Sequence, residues 1–411
     1  MKQLRTYYIL FFLLFIARQG MSQQIGFDMP PDVHKVIIPF ERYNNLMVIP
    51  VTINHSLTLK FILDTGVQYP ILTEKMFGDY LNLNYTRNIT IQGPGSADSI
   101  KAKVAQEITL SLPGGIDSGI NQALLVLEED YLKLRNNLGT DVFGVIGYDI
   151  FSRFIVEINY DENYLVLHEP KKFHAKRSYK RIPMKVVNTK PYVELTIMKN
   201  ENEGRRMHLM VDSGASHAVL LDNPEDDSLI PKQNITSVIG RGLGGNIKGY
   251  LGRMTSIKMG KFEFEEPIAS FPVSGDYGEA IKRGSRNGTI GGELLSRFNV
   301  AFDYFGGHLY LRKSKMYHQG FEHDMSGMNI AAYGEQLDEL QVNHVRDDSP
   351  AYRAGIRAGD QIESINGYSL ESLKFSDFST LLRNKPGKKI VVKYVRDGEV
   401  QKTSFKLERY I

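Results

Sequence analysis

The chain of 411 residues contains no cysteine. That absence excludes disulfides, thiol nucleophiles, Cys-ligated zinc and thiol-linked lipidation. Long hydrophobic runs are equally scarce. The apolar stretch from Tyr7 to Ala17 would reach about 16 Å as a helix, well short of a bilayer core of about 30 Å. Net charge is lacking too. The formal +3 comes from Lys2, Arg5 and Arg18, inside a first segment of 22 residues that holds no acid. Setting those three aside from the 50 basic residues leaves 47 against 47 acidic ones, so nothing global favours nucleic acid. Several catalytic signatures are also missing: no His-Glu-x-x-His pair, no Gly-x-Ser-x-Gly elbow and no Gly-x-Ser-Gly-Gly segment. Neither a metal nor a cofactor is expected.

What is present begins with an address. Lys2 and Arg5 precede the apolar run, and Gly20 and Ser22 follow at the spacing of small residues before a cleavage site. Residues 1–22 therefore read as a signal peptide, predicting export to the periplasm, cell surface or extracellular space. Membrane attachment is expected only if that segment stays uncleaved. A cysteine-free chain suits an oxidising compartment.

The body of the chain contains a repeat. Gly144-Val-Ile-Gly147 through Leu167 recurs as Gly288-Thr-Ile-Gly291 through Leu311, at an offset of 144, with ten identities in 24 ungapped positions. Upstream, Phe61-Ile-Leu-Asp-Thr-Gly66 matches Leu209-Met-Val-Asp-Ser-Gly214 at an offset of 148. Each unit looks β-rich, since Met47 to Thr52 and Tyr192 to Met198 alternate apolar and polar residues before turn formers. The boundaries follow: residues 23–170 for a first lobe, 171–313 for a second, and a compact α/β module over 325–411.

Two aspartates ending apolar strands, each followed by a hydroxyl residue and glycine, have a specific mechanical reading. Glycine permits the sharp turn that presents the carboxyl, and the hydroxyl can lock onto the partner turn. Two carboxyls held side by side share one proton; the ionised one can activate water while the protonated one polarises a carbonyl. In this arrangement the sequence resembles the pepsin/retropepsin clan of aspartic proteases over residues 35–313. The resemblance implies a mainly β, bilobal acid-protease fold with an interlobe cleft. It also implies Asp64 and Asp212 as the catalytic pair, with Thr65, Gly66, Ser213 and Gly214 in support. Glycine-rich segments downstream of each aspartate contain the flap candidates Gly93, Gly95, Gly242 and Gly244. Where pepsin-like proteins carry Ser or Thr three residues after each aspartate, this chain has Val67 and Ala215. That departure predicts a working pH nearer neutrality.

The C-terminal strings Asp348-Ser-Pro-Ala351, Gly359-Asp-Gln-Ile362 and Ile365-Asn-Gly367 resemble the bacterial type of PDZ domain. Such domains take an extended peptide as an added strand. By that resemblance Gly327, Met328, Asn329 and Ile330 form the carboxylate-binding loop, and the helix from Phe375 lines the groove. The expectation is an exported, monomeric aspartic endopeptidase acting on peptides or unfolded protein, with a PDZ ligand peptide as second partner. A narrow processing enzyme is one alternative. A non-catalytic peptide-binding scaffold that kept the fold is another.

Overall fold

The computed structural model describes residues 26–95, 99–222, 229–273 and 286–411; the signal segment expected from the sequence lies outside them. The duplication appears strand by strand. In each half a hairpin delivers its second strand to the aspartate: Leu46–Ile53 with Leu57–Leu63 in the first, Lys190–Met198 with Gly204–Val211 in the second. Phe61 to Leu63 and Leu209 to Val211 are all buried, as strands covered on both faces require. A short strand then lies parallel to each, Gly144–Ile146 against the first and Gly288–Ile290 against the second. The ladder runs one residue further. The Asp64 N–H donates to Ile146 O at 2.8 Å, and the Asp212 N–H to Ile290 O at 2.9 Å. The repeated apolar-Gly segments thus hold the aspartates by their backbones. Gly147 must be glycine for space alone, because a Cβ there would sit 1.7 Å from Asp64 O.

Six strands join the halves in the order Lys35–Pro39, Tyr164–His168, Ile155–Asn159, Phe298–Asp303, His308–Lys313, Lys180–Val187. The middle pair comes from the two copies of the repeat, with Val156 opposite Phe302 and Ile158 opposite Val300. Buried Asn299 crosses the seam, accepting from the Tyr160 N–H at 2.8 Å and donating to Asp161 at 2.7 Å. One apolar core, including fully buried Phe61, Phe151 and Phe302, runs through both halves. The architecture is mainly β and bilobal.

The C-terminal module has its own five-stranded antiparallel sheet and its own core around Ile365, Phe378 and Ile390. Its strand order is Met328–Tyr333, Glu339–Val345, Gln361–Ile365, Lys389–Arg396, Glu399–Lys406. Ser349 caps the helix Pro350–Arg353, accepting from the Tyr352 N–H at 3.3 Å. The helix Phe375–Leu382 buries Phe375, Phe378 and Leu382, three and four residues apart. One segment departs from expectation. Of the four residues read as a loop, only Gly327 turns, at φ +84°, while Met328 to Ile330 open the edge strand. The chain end then returns to the lobes: Ile411 is buried in their core, and Arg253 donates to Ile411 O at 3.2 Å and Phe321 O at 3.0 Å. Among the described residues no helix is long and apolar enough to cross a membrane.

Candidate active site

The two aspartate turns interlock through four hydrogen bonds. Thr65 Oγ1 donates to Val211 O at 2.7 Å and accepts from the Ser213 N–H at 3.0 Å. Reciprocally, Ser213 Oγ donates to Leu63 O at 2.9 Å and accepts from the Thr65 N–H at 3.0 Å. Both hydroxyls are buried, so each bond forms where water cannot compete. The turns then present their carboxyls side by side. The Gly66 N–H donates to Asp64 Oδ1 at 2.6 Å and the Gly214 N–H to Asp212 Oδ1 at 3.1 Å. Proximity forces glycine at position 214, where a Cβ would meet the Asp64 carboxyl carbon at 2.2 Å, and makes the fit merely tight at Gly66, where one would meet Asp212 Oδ1 at 3.3 Å.

Burial, and then the Asp212 charge, push the Asp64 carboxyl well above the usual carboxylate range. Asp212 is also pushed up by burial, against the opposing pull of its hydrogen bond to Asp64 and the positive charges of Arg286 and Lys190. The pair therefore holds a shared proton to higher pH than isolated carboxyls would. Neither carboxyl receives a hydroxyl donor among the described residues. Val67 and Ala215 stand where one could have been, and both line the cleft.

All four flap glycines lie where two hairpins cross. The first hairpin is Asn84–Ile91 with Ile100–Ile108, and the second is Asn234–Gly242 with Gly245–Arg253. Their tips bridge at Gly95 and Gly244, with the Gly244 N–H donating to Pro94 O at 2.9 Å. A Cβ on Gly242 would sit 2.1 Å from Pro94 O, and one on Gly93 would sit 2.7 Å from Leu243 Cβ. Glycine here lets two backbones touch. Below this crossing lies a cavity of 1510 Å³ that contains both aspartates and continues to the C-terminal module at Met328, Arg346 and Phe375.

Residues 193–292 match the aspartyl protease family model, and residues 341–396 match the PDZ domain model. The chain resembles an aspartyl protease with a C-terminal PDZ domain. Among solved structures it is similar to the aspartic proteinase from Irpex lacteus, at 11% identity and a TM-score of 0.43, over 69% of this chain and 99% of that one. Two curated proteins match over short stretches. One, "Putative zinc metalloprotease mll0638" of Mesorhizobium japonicum, is 38% identical over 70 residues, 17% of this chain and 18% of its own length. The other, Rho GTPase-activating protein 23 of Mus musculus, is 27% identical over 77 residues, 19% of this chain and 5% of its own length. The chain thus spans less than a fifth of either relative. Among the described residues no group of three or more His, Asp or Glu is placed to hold a metal ion.

The PDZ groove differs from its expected form. Asp324 Oδ1 accepts from the Ser326 N–H at 3.0 Å and the Gly327 N–H at 2.6 Å, and Ser326 Oγ accepts from the Met328 N–H at 3.0 Å. An internal carboxyl and hydroxyl thus take the loop donors that a peptide carboxylate would need. The free edge of Met328–Tyr333 is also engaged. Asn136 Nδ2 donates to Ala332 O at 2.8 Å, and Arg135 reaches Gly334 O at 3.5 Å. Both belong to the short helix Leu134–Leu138 of the first lobe, whose Leu134 and Leu138 line the cleft. Just past it, Gly139 packs so closely on Phe375 that a Cβ would fall 2.4 Å from Phe375 Cβ. Sequence reasoning missed this wall helix, and it also missed Lys190, His217 and Arg286 on the second-lobe side of the cavity. Burial pushes His217 down to about 4, leaving it neutral beside Thr289 Oγ1 at 2.8 Å.

Proposed function

We propose that the chain is an exported aspartic endopeptidase in which Asp64 and Asp212 hydrolyse peptide bonds. The observation that carries this reading is the interlocked pair of turns. Four buried hydrogen bonds fix two carboxyls whose environment favours one shared proton. In the reaction, a water oxygen attacks the carbonyl carbon while its proton passes to the ionised carboxylate. The protonated partner gives its proton to the carbonyl oxygen, which forms a gem-diol. Collapse of that intermediate breaks the C–N bond: one carboxyl gives its proton to the departing amine while a gem-diol hydroxyl returns its proton to the ionised carboxylate, which restores the shared proton. The crossing flaps would exclude water and hold the peptide extended. The PDZ module would dock a substrate or regulator as a strand on the edge Met328–Tyr333, which requires Asn136 and Arg135 to let go.

The decisive experiment incubates the chain lacking residues 1–22 with a mixed peptide library, beside Asp64→Asn and Asp212→Asn. Either substitution is expected to lower turnover about 1,000-fold or more while the fold remains intact. Turnover retained in either variant would overturn the assignment. General cleavage, one cleaved motif, or binding without cleavage would separate the endopeptidase, the narrow processing enzyme and the scaffold.

A further inference from the structure

The charge of the cleft is lopsided, although the chain beyond its first 22 residues is balanced. Along the cavity the described residues of the two lobes contribute Lys133, Lys190, Arg241, Lys248 and Arg286 against the carboxyls of Asp64 and Asp212, while the C-terminal module adds Asp324, Asp347 and Asp348 beside Arg346 and Arg383 at the far end. The repeat sharpens the contrast. At an offset of 144, Leu46 of the first lobe corresponds to Lys190 of the second, and both line the cavity. Around Leu46 the first-lobe wall is an apolar cluster with Ile62, Ile71 and Val145. Lys190 is half-buried, and its ammonium makes no hydrogen bond or ion pair among the described residues. Its charge is felt by both aspartates, and that of Arg286 by Asp212. A partly desolvated cation beside the reacting centre is poorly compensated by one shared negative charge. An incoming carboxylate would complete it.

We infer that the cleft selects acidic peptides, with an apolar residue on one side of the scissile bond and Asp or Glu on the other, and that Lys190 and Arg286 determine this choice. The inference rests on the proposed hydrolysis, and its test separates the two. Fluorogenic peptides identical except for Leu, Gln, Glu or Lys at each flanking position would be compared by kcat/KM. The Glu peptide in one orientation is expected to exceed its Gln counterpart by about tenfold or more, and the Lys peptide by a larger factor. The advantage should shrink in 0.5 M salt, where the Debye length falls to only a few Å (about 4 Å). Lys190→Met should erase most of the preference while the Leu peptide is still cleaved, and Lys190→Glu should turn it toward Lys. Equal rates for Glu and Gln, or a preference untouched by Lys190→Met combined with Arg286→Met, would overturn the inference. Anisotropy binding of the same peptides to the Asp212→Asn chain supplies the second readout. Selective binding of the Glu peptide without wild-type cleavage would sink the hydrolysis reading and keep the selectivity. Neither binding nor cleavage of any peptide would sink both.

Discussion

At the aspartate turns the two lobes are near copies. Thr65 and Ser213 exchange the same four bonds, and Ile146 and Ile290 hold Asp64 and Asp212 by the same backbone contact. On the cleft walls the copies part company, with Leu46 of the first lobe standing where the second has Lys190. The difference separates two kinds of constraint. A turn that must pair with its own twin cannot change alone, because a buried donor would lose its acceptor. A side chain that faces only the cavity has no such partner and is free to diverge.

The symmetry of the turns should break first at the glycines. A Cβ on Gly214 would fall 2.2 Å from the Asp64 carboxyl carbon, whereas on Gly66 the nearest atom, Asp64 Oδ1, is 3.1 Å away. Gly214→Ala is expected to cost about 100-fold or more in kcat/KM by displacing a carboxyl, and Gly66→Ala about tenfold at most. Equal losses would show that the turns are equivalent after all. The interlock gives the next effect. Thr65→Ala and Ser213→Ala each strand buried backbone groups, so each should lower unfolding free energy by about 2–4 kcal/mol in denaturant titrations. The double variant should lose less than the sum, since both remove one network.

Electrostatics should separate the carboxyls more gently. Their folded-state pKa values are raised, so their contribution to stability is present below the unfolded value and fades as pH rises through the folded one. Asp64→Asn removes that loss, and its Tm advantage over the wild type is expected to grow from pH 4 to pH 8. A constant difference would mean that the pair ionises as freely folded as unfolded. The smallest effect should come from Val67→Ser and Ala215→Thr. Each supplies a donor that favours the ionised carboxyl, so the alkaline limb of the kcat/KM profile should move toward acid. Movement toward alkali would defeat the explanation.

The fold and the aspartates were legible because duplication writes the same message twice. Ten identities at one offset and two Asp-hydroxyl-Gly turns locate the strands, the pair and its supporting segments. The flap glycines were legible as glycines, but their reason was hidden. Gly95 meets Gly244 across about 150 residues of sequence, and no local pattern encodes such a crossing. The wall helix Leu134–Leu138 is five residues long, too short for helical periodicity to register. Lys190 sits at a hairpin turn, where a charged residue looks ordinary until the cavity is seen beside it. Asp324 stood just outside the segment read as a carboxylate-binding loop, and only its three-dimensional reach reveals that it fills the loop itself.

The wall helix touches two sites, since Leu138 lines the aspartates' cleft while Asn136 holds the edge strand Met328–Tyr333. Such a shared strut makes the two sites thermodynamic partners. A peptide that adds to the edge strand must spend part of its binding free energy on releasing the strut, and its apparent affinity falls by the fraction of time the edge is free. Were that fraction one in a hundred, binding would weaken about 100-fold. Reciprocity then fixes the return effect: whatever occupant of the cleft holds Leu138 in place must weaken the edge-strand ligand by the same factor by which that ligand weakens it.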